Sequence, residues 1–218
     1  MNRNCFVSWS GGKDSCLALH KAIEQGYNPK KLFTMFSMEN GISSAHRLKG
    51  KIIKAQADAI GIECEIGESL FNDYEKTFVS NLKLFKDQGL DYGIFGDIDI
   101  DEHKQWEDKV CERASVTAVL PLWQMDRKDI VKELLNLGFK AKIVLVNKTI
   151  LDTKFLGQDL SYSLMYEIEK SGADVCGENG EYHTVVYDGP IFKRPLELKY
   201  NTEIIPVGEM WAQIEIEL

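Results

Sequence analysis

The feature that most constrains this chain is a polar, glycine-containing turn directly after an apolar segment near the N-terminus. Residues 5–9 read Cys-Phe-Val-Ser-Trp, and residues 10–15 read Ser-Gly-Gly-Lys-Asp-Ser. The apolar run predicts a buried strand, and the sequence after the turn predicts a helix. A strand that passes through two glycines into a helix is typical of an α/β fold that binds an anion at the helix N-terminus.

The same turn has the parts of a phosphate-binding site. Gly11 and Gly12 allow the backbone to approach an anion without a Cβ, and the helix directs free N–H groups and its positive dipole end toward the same point. The turn also offers hydroxyl donors, a positive charge and a carboxylate that can hold magnesium: Ser10 and Ser15, Lys13, and Asp14.

The turn is not a Walker A loop, which has four residues between its first glycine and Gly-Lys-Ser/Thr, because Lys13 is followed by Asp14. Ser-Gly-Gly-x-Asp-Ser resembles the pyrophosphate-binding loop of the N-type ATP pyrophosphatases, which split ATP into AMP and pyrophosphate. The alternative is a glycine-rich turn at a helix N-terminus with no ligand.

Composition excludes several classes of protein. The 218 residues are 44% hydrophobic and 28% charged, which suits one large or two small globular domains. No run of about 18 apolar residues and no apolar signal region is present, so we expect a cytoplasmic protein without a membrane partner. Five scattered cysteines predict reduced thiols, and a net charge of −8 disfavours stable nucleic-acid binding.

The pattern of elements predicts two parts. Up to residue 120, strand and helix signals alternate, which is typical of a parallel sheet covered on both faces. Three polar clusters fall where its strands should end, at residues 10–15, 40–47 and 97–103. After residue 121 we expect a smaller mixed α+β domain, with a helix capped by Asp126 and a C-terminal antiparallel strand over residues 210–218.

A second polar constellation lies in this C-terminal part. Residues 176–184 read Cys-Gly-Glu-Asn-Gly-Glu-Tyr-His-Thr. Glu178 and Glu181 stand beside glycines that let a ligand approach, and paired carboxylates can orient an amine, hold a metal or remove a proton. His183 titrates near neutral pH and can act as acid or base. The alternative is an acidic turn between strands.

Together the two motifs resemble the diphthine–ammonia ligase family of ATP pyrophosphatases. That family has Ser-Gly-Gly-Lys-Asp-Ser near its start and Gly-Glu-x-Gly-Glu-[Phe/Tyr] near residue 180. Further matches lie between and around the motifs: His46, Gln56-Ala57, Gly96, Pro121 with Trp123 and Asp126, and Leu156-Gly157. The resemblance covers nearly the whole chain.

The resemblance implies a Rossmann-like domain of the adenine nucleotide alpha hydrolase type at residues 1–120 that binds ATP, and a substrate-binding domain at 121–218. It implies catalytic roles for Lys13, Asp14, Glu178 and Glu181, with magnesium on Asp14. Its ATP site would comprise Ser10, Gly11, Gly12, Lys13, Asp14, Ser15, His46 and Gly96. Its substrate site would comprise Asp97, His103, Trp123, Glu178, Asn179, Glu181 and His183.

The chain departs from the family at positions that would face the acceptor. Eukaryotic and archaeal members usually carry Tyr-Gln and an Arg after the fourth strand, where this chain has residues 101–106, Asp-Glu-His-Lys-Gln-Trp. They also tend to have Gly and Glu where this chain has Asn179 and His183. The resemblance therefore supports the family's nucleotide chemistry in this chain better than it supports the family's acceptor. Weaker candidates remain open: His20 as a packing histidine, His103 as a solvated one, and Trp123 as a domain-junction anchor.

The function predicted by the resemblance is an ATP-dependent amide-forming ligase with ATP and magnesium. An acceptor carboxylate would attack the α-phosphate, and ammonia would displace AMP from the acyl-adenylate. The implied acceptor is diphthine, a modified histidine on translation elongation factor two. No cysteine stands near a histidine motif that would indicate a glutaminase, so free ammonium is the expected nitrogen source. Two alternatives remain, a small carboxylate acceptor and a non-catalytic ATP or AMP sensor, and a homodimer is left open.

Overall fold

A computed structural model describes residues 3–39, 41–43, 46–201 and 203–218. Of the polar cluster at residues 40–47, the positions Asn40, Ser44 and Ala45 lie outside the described residues.

The N-terminal part is a five-stranded parallel sheet with the strand order β3-β2-β1-β4-β5. Its strands are β1 (Asn4–Ser8), β2 (Asn28–Ser37), β3 (Glu63–Ser69), β4 (Tyr92–Ile94) and β5 (Thr117–Val119). The helices between them are α1 (Lys13–Glu24), α2 (Gly50–Ile60), α3 (Tyr74–Asp87), which follows a 3-10 turn (Phe71–Asp73), and α4 (Asp101–Arg113). This architecture confirms the predicted Rossmann-like α/β class.

Alternation along the strands gives the sheet two buried faces. Cys5 and Val7 of β1 pack with buried side chains of α1 and α2, whereas Phe6 between them packs on the other face. There the ring of Phe6 lies 5.3 Å from that of Phe85 in α3 and 6.4 Å from that of Phe33 in β2. Both faces are covered by helices, so the strands read as continuous apolar runs.

The C-terminal part contains two small antiparallel sheets, of strand orders β7-β6-β10-β9 and β11-β8. Its elements are α5 (Arg127–Asn136), β6 (Lys140–Asn147), α6 (Tyr162–Lys170), β7 (Tyr182–Asp188), β8 (Lys199–Tyr200), β9 (Ile205–Val207), β10 (Trp211–Gln213) and β11 (Ile216–Glu217). A short 3-10 turn (Thr153–Phe155) precedes α6.

Two details of this part were predicted with different success. The carboxylate of Asp126 accepts from the N–H groups of Lys128 and Asp129, which confirms the helix cap. The single strand predicted over residues 210–218 is wrong, because β10 and β11 belong to different sheets. The alternation of burial survives the break, with Ala212, Ile214 and Ile216 all buried.

The two parts share one core. A single cluster of buried apolar residues contains side chains from α1 and α2 as well as from β6, β7 and α6. The boundary at residue 120 between an ATP-binding and a substrate-binding domain therefore stays a prediction. Within the described part of the chain, no helix is both long and apolar enough to span a membrane.

Candidate active site

The glycine-containing turn lies at the point where the strand order of the parallel sheet reverses. β1 ends at Ser8, and the chain passes through the turn into α1, which begins at Lys13. The neighbouring strand β4 ends at Ile94 and leads to Gly96 and Asp97, on the other side of the reversal. Helices that leave β1 and β4 in opposite directions open a crevice at the carboxyl ends of these strands, which is where open α/β sheets bind ligands.

The two glycines serve the packing of the turn. A Cβ on Gly12 would lie 2.0 Å from Cε1 of His46, and one on Gly11, whose φ is +77°, would lie 2.4 Å from Oε1 of Gln56. Gly96 is similarly confined, since its Cβ would come within 3.0 Å of the backbone of Asp14. Steric contacts with other side chains and backbone atoms of the protein therefore exclude larger residues at these positions, without any bound anion.

Gln56 of α2 connects the turn to the C-terminal sheet. Its side chain is fully buried, and its Nε2 donates to the carbonyls of Gly11 (2.8 Å) and Val186 (2.7 Å). Its Oε1 accepts from the indole N–H of Trp9 at 3.1 Å. Because every polar atom of this buried amide has a partner, the turn and β7 are held in one arrangement.

Lys13 and Asp14 form a partly buried ion pair in the first turn of α1. Lys13 Nζ lies 2.8 Å from Asp14 Oδ2. Lys13 is only 5% exposed. Burial lowers the pKa of Lys13, but the charge and hydrogen bond of Asp14 together with the effects of Cys176 and Tyr182 raise it by more, so the net shift is upward and the ammonium is retained. The N–H groups of this turn have no intrahelical acceptor, although that of Lys13 donates to Thr184 Oγ1 at 3.0 Å.

Two neutral imidazoles lie beside the turn. His46 Nδ1 is 2.7 Å from the carbonyl of Thr184, so this nitrogen carries the proton. The rings of His46 and His183 are 4.7 Å apart. Burial lowers the pKa of His46, and burial together with His46 lowers the pKa of His183 well below its usual value. Both rings are therefore uncharged, and Lys13 carries the positive charge at this end of the site.

The second motif forms a tight turn that is held by a buried carboxylate. Glu181 is 3% exposed and accepts from the backbone N–H groups of Asp174 (3.1 Å) and Asn179 (3.0 Å). Arg127 at the start of α5 binds the outside of this turn, through Asp174 (2.6 Å) and the side-chain oxygen of Asn179 (2.9 Å). The role of Glu181 in this structure is to shape the turn that presents Glu178.

Glu178 lies among other acidic groups. Burial, followed by the charge of Asp14, raises its pKa to about 7. Across the crevice, Asp97 Oδ1 lies 2.8 Å from His103 Nδ1. This hydrogen bond raises the pKa of His103. Burial opposes ionisation of Asp97, yet hydrogen bonds from His103 and Glu107 bring its pKa down. The site thus contains two groups, Glu178 and His103, that can exchange a proton near neutral pH.

One cavity of about 310 Å³ brings most of the predicted residues together. Those that line it are Ser10, Lys13, Asp14, Ser15, His46, Gly96, Asp97, His103, Glu178 and His183. Gly11 and Gly12 form the turn behind it. The structure does not bring Trp123, Asn179 or Glu181 to its lining.

The aromatic side chains Trp106, Trp123 and Tyr182 differ in where they lie relative to the cavity. Trp106 packs on Phe78, with ring centroids 5.0 Å apart, and Trp123 lies under Lys104 Nζ at 5.9 Å. Tyr182 does line the cavity. His20 packs edge-to-face on Phe139 at 5.9 Å, as expected of a packing histidine.

Sequence reasoning missed three residues that organise the site. Thr184 stands in the quoted second motif, and Gln56 in the quoted family pattern, but neither was given a role. Arg127 follows the predicted cap Asp126, and no motif in the sequence indicated a role for it. It joins the loop after β4 to the second motif, because its guanidinium also binds both oxygens of Asp99 at 2.7 Å.

Both parts of the chain match models of one protein family. Residues 3–118 match the diphthamide synthase N-terminal domain, and residues 126–216 match the diphthamide synthase C-terminal domain. The chain belongs to the diphthamide synthase family. This confirms the family inferred from the two motifs.

Curated relatives carry the corresponding enzyme name. Proteins named diphthine–ammonia ligase from Homo sapiens and Bos taurus are 28% and 29% identical over 230 and 236 residues, covering 94% of this chain and 86% of each relative. These relatives confirm the predicted class of enzyme, a ligase that forms carbon–nitrogen bonds. A predicted subunit of tRNA methyltransferase from Methanocaldococcus jannaschii is 18% identical, with a TM-score of 0.48, over 88% of this chain and 99% of that one.

Proposed function

We propose that this chain is the ATP-dependent ligase that converts the carboxylate of diphthine into the amide of diphthamide, with ammonium as nitrogen source. The observation that carries the proposal is the shared cavity: Lys13 and Asp14 from the first motif and Glu178 from the second line one space, although about 165 residues separate them in the chain. An adenylating ligase needs its nucleotide and its acceptor in such a common space.

The turn at residues 10–15 is the proposed site of the ATP phosphates. Ser10 and Ser15, which carry hydroxyls, and Lys13, which carries the ammonium, line the cavity at the start of α1, where the helix dipole favours an anion. Asp14 is a fitting ligand for magnesium, because Mg²⁺ in ATP enzymes is bound through one or two carboxylates plus phosphate oxygens and water. Magnesium there would supply charge neutralisation for the phosphates. Lys13, held in its charged form by Asp14, stabilises the negative charge that develops on the departing pyrophosphate.

The proposed reaction has two steps. An oxygen of the acceptor carboxylate attacks the α-phosphorus, and the bond to the bridging oxygen of pyrophosphate breaks, which leaves an acyl-adenylate. Ammonia then attacks the acyl carbon, and AMP departs with the bonding electron pair. His46 and His183 are neutral and lie beside the turn, where they can orient the nucleotide without adding charge.

A direct test follows the oxygen of the acceptor. The full chain is incubated with ATP, Mg²⁺, ammonium and a diphthine-bearing elongation factor whose diphthine carboxylate carries a heavy-oxygen label. We expect AMP and pyrophosphate, amide on the factor, and label in the phosphate of AMP. ADP and inorganic phosphate as products would contradict adenylation. If pyrophosphate were released only with a small carboxylic acid, that acid and not diphthine would be the acceptor.

A pair of variants ties the reaction to the cavity. Lys13→Met removes a buried ammonium at similar side-chain length, and Lys54→Met does the same at an exposed position of α2. Turnover should fall by at least about a hundredfold in the first, which is the size typical of a lost electrostatic group, and stay unchanged in the second. Equal turnover in both variants would show that the turn at residues 10–15 is not part of the active site.

A further inference from the structure

Three side chains from separate segments converge at one end of the cavity. Asp97 follows β4, His103 lies in the first turn of α4, and Glu178 belongs to the turn of the second motif. One donor or acceptor atom of each lies within 4.8 Å of the corresponding atoms of the other two. A carboxylate from each side of the crevice and one imidazole therefore surround a space the size of a single small cation.

A buried carboxyl group supports this arrangement from behind. Glu107, one helical turn after His103, is 3% exposed and forms a side-chain hydrogen bond with Asp97. Its Oε2 has no hydrogen-bond partner among the described residues. Burial and the neighbouring Asp97 raise the pKa of Glu107 to about 11, so Glu107 is a neutral acid that leaves the negative charge on Asp97.

Among the described residues, no lysine or arginine pairs with the two carboxylates in this part of the cavity, where His103 is the hydrogen-bond partner of Asp97. Lys13 is paired with Asp14, and Arg127 is paired with Asp99 and Asp174. Within the described residues, neither Asp97 nor Glu178 has a lysine or arginine nitrogen within 4.0 Å. Two carboxylates that face a common space without a cationic side chain attract a cationic ligand.

We propose that Asp97, His103 and Glu178 bind the ammonium ion that the ligase consumes and that Glu178 removes its proton. This inference rests on the function proposed above. Acceptors bound tetrahedrally at about 2.9 Å from an ammonium nitrogen lie about 4.7 Å from one another, a separation that falls within the 4.8 Å limit on the spacing of the three side chains. The imidazole of His103, oriented by Asp97, accepts the third hydrogen bond through its free nitrogen.

The proton balance of the step follows from this geometry. One N–H bond of ammonium breaks, and the proton passes to the carboxylate of Glu178. The freed lone pair of ammonia forms the bond to the acyl carbon, and the bond between that carbon and the AMP oxygen breaks. A second proton leaves the new amide nitrogen for solvent. Burial and Asp14 keep the pKa of Glu178 at about 7, so this carboxylate retains proton affinity at neutral pH.

The kinetic test compares two nucleophiles in the full-length protein. Hydroxylamine is largely uncharged at neutral pH and attacks acyl-adenylates without prior deprotonation. Glu178→Gln and His103→Gln should raise KM for ammonium by about 10- to 100-fold more than they raise KM for hydroxylamine, the range of a lost charge-assisted hydrogen bond, whatever effect they have on adenylation itself. Glu112→Gln, an exposed carboxylate on the same helix, is the matched control. An equal loss with both nucleophiles would overturn the proposal.

A binding test does not depend on turnover. The chain has 4 histidines, whose imidazole signals can be assigned by substitution and titrated by NMR. Ammonium chloride should lower the pKa of His103, because a bound cation disfavours the imidazolium form, whereas sodium chloride at equal concentration should not. No shift, or a shift caused by Mg²⁺ but not by ammonium, would overturn the ammonium site. A wild-type protein that shows the shift yet releases no pyrophosphate would instead refute the proposed function.

Discussion

Replacement of Gln56 by leucine isolates the contribution of the buried amide that joins the turn at residues 10–15 to the C-terminal sheet. Leucine has a similar volume but no polar atoms. The indole N–H of Trp9 and the carbonyl of Val186 then lose their side-chain partner, whereas the carbonyl of Gly11 keeps the N–H of Val186 at 2.9 Å. Two buried polar groups are left unpaired.

The expected cost follows from that count. An unsatisfied buried polar group costs about 1–3 kcal/mol, so two of them predict a loss of about 2–6 kcal/mol in the free energy of unfolding. Typical domains are stable by only about 5–15 kcal/mol, so the variant is expected to be folded at low temperature but strongly destabilised. Because Gln56 contacts the turn itself, ATP affinity should fall as well.

Urea unfolding monitored by circular dichroism, together with titration of ATP, measures both effects. Gln105→Leu is the matched control, because Gln105 is exposed on α4 and should change stability by no more than about 0.5 kcal/mol. If Gln56→Leu and Gln105→Leu lowered stability equally, the amide network would not hold the turn to β7 and the reasoning would be wrong.

Three further substitutions test separate parts of the site. Gly12→Ala places a Cβ where the ring of His46 lies and should weaken ATP binding at least about tenfold, measured by titration calorimetry, with a stability loss of about 1–3 kcal/mol. Glu181→Gln sets an amide against two backbone N–H groups, so stability, ATP affinity and turnover should decline together, and a loss of turnover alone would contradict its structural role. Glu178 has a pKa of about 7 instead of its usual 4.5, so the folded chain retains this proton when the unfolded chain has lost it. Its stabilising contribution is present below pH 4.5 and is lost as the pH rises through about 7, and Glu178→Gln should flatten the unfolding free energy over that interval.

Local signals were sufficient to predict the parallel sheet and the location of its site. Apolar runs, glycine at helix ends and the turn at residues 10–15 are properties of neighbouring residues, and they place the polar clusters at the carboxyl ends of strands. The same local signals failed at residues 210–218. Their strict alternation is that of one strand, but β10 ends at Gln213, and Ile216 and Glu217 then pair with β8 in a different sheet.

The roles of the two carboxylates could not be separated by sequence. Glu178 and Glu181 are identical side chains three residues apart, each beside a glycine. Which of them faces the cavity depends on the direction in which the backbone turns before β7, and that direction is set by distant partners. Arg127 holds Asp174 at 2.6 Å, and Asp174 in turn accepts from the N–H of Glu178 at 3.3 Å. None of these long-range contacts has a signature in a single sequence.

The arrangement explains why two motifs at opposite ends of the chain form one site. Thr184 accepts from the N–H of Lys13 through its hydroxyl and binds His46 through its carbonyl, so β7 caps the helix that presents Lys13 and Asp14 to the cavity. Arg127 makes the equivalent connection at the other end of the cavity, between Asp99 and the turn that carries Glu178. With both ends fixed, the distance between the two motifs depends on the shared core and not on a flexible linker. The proposed adenylation requires that constancy, because the attacking carboxylate and the α-phosphate would have to meet in line within about 3–3.5 Å.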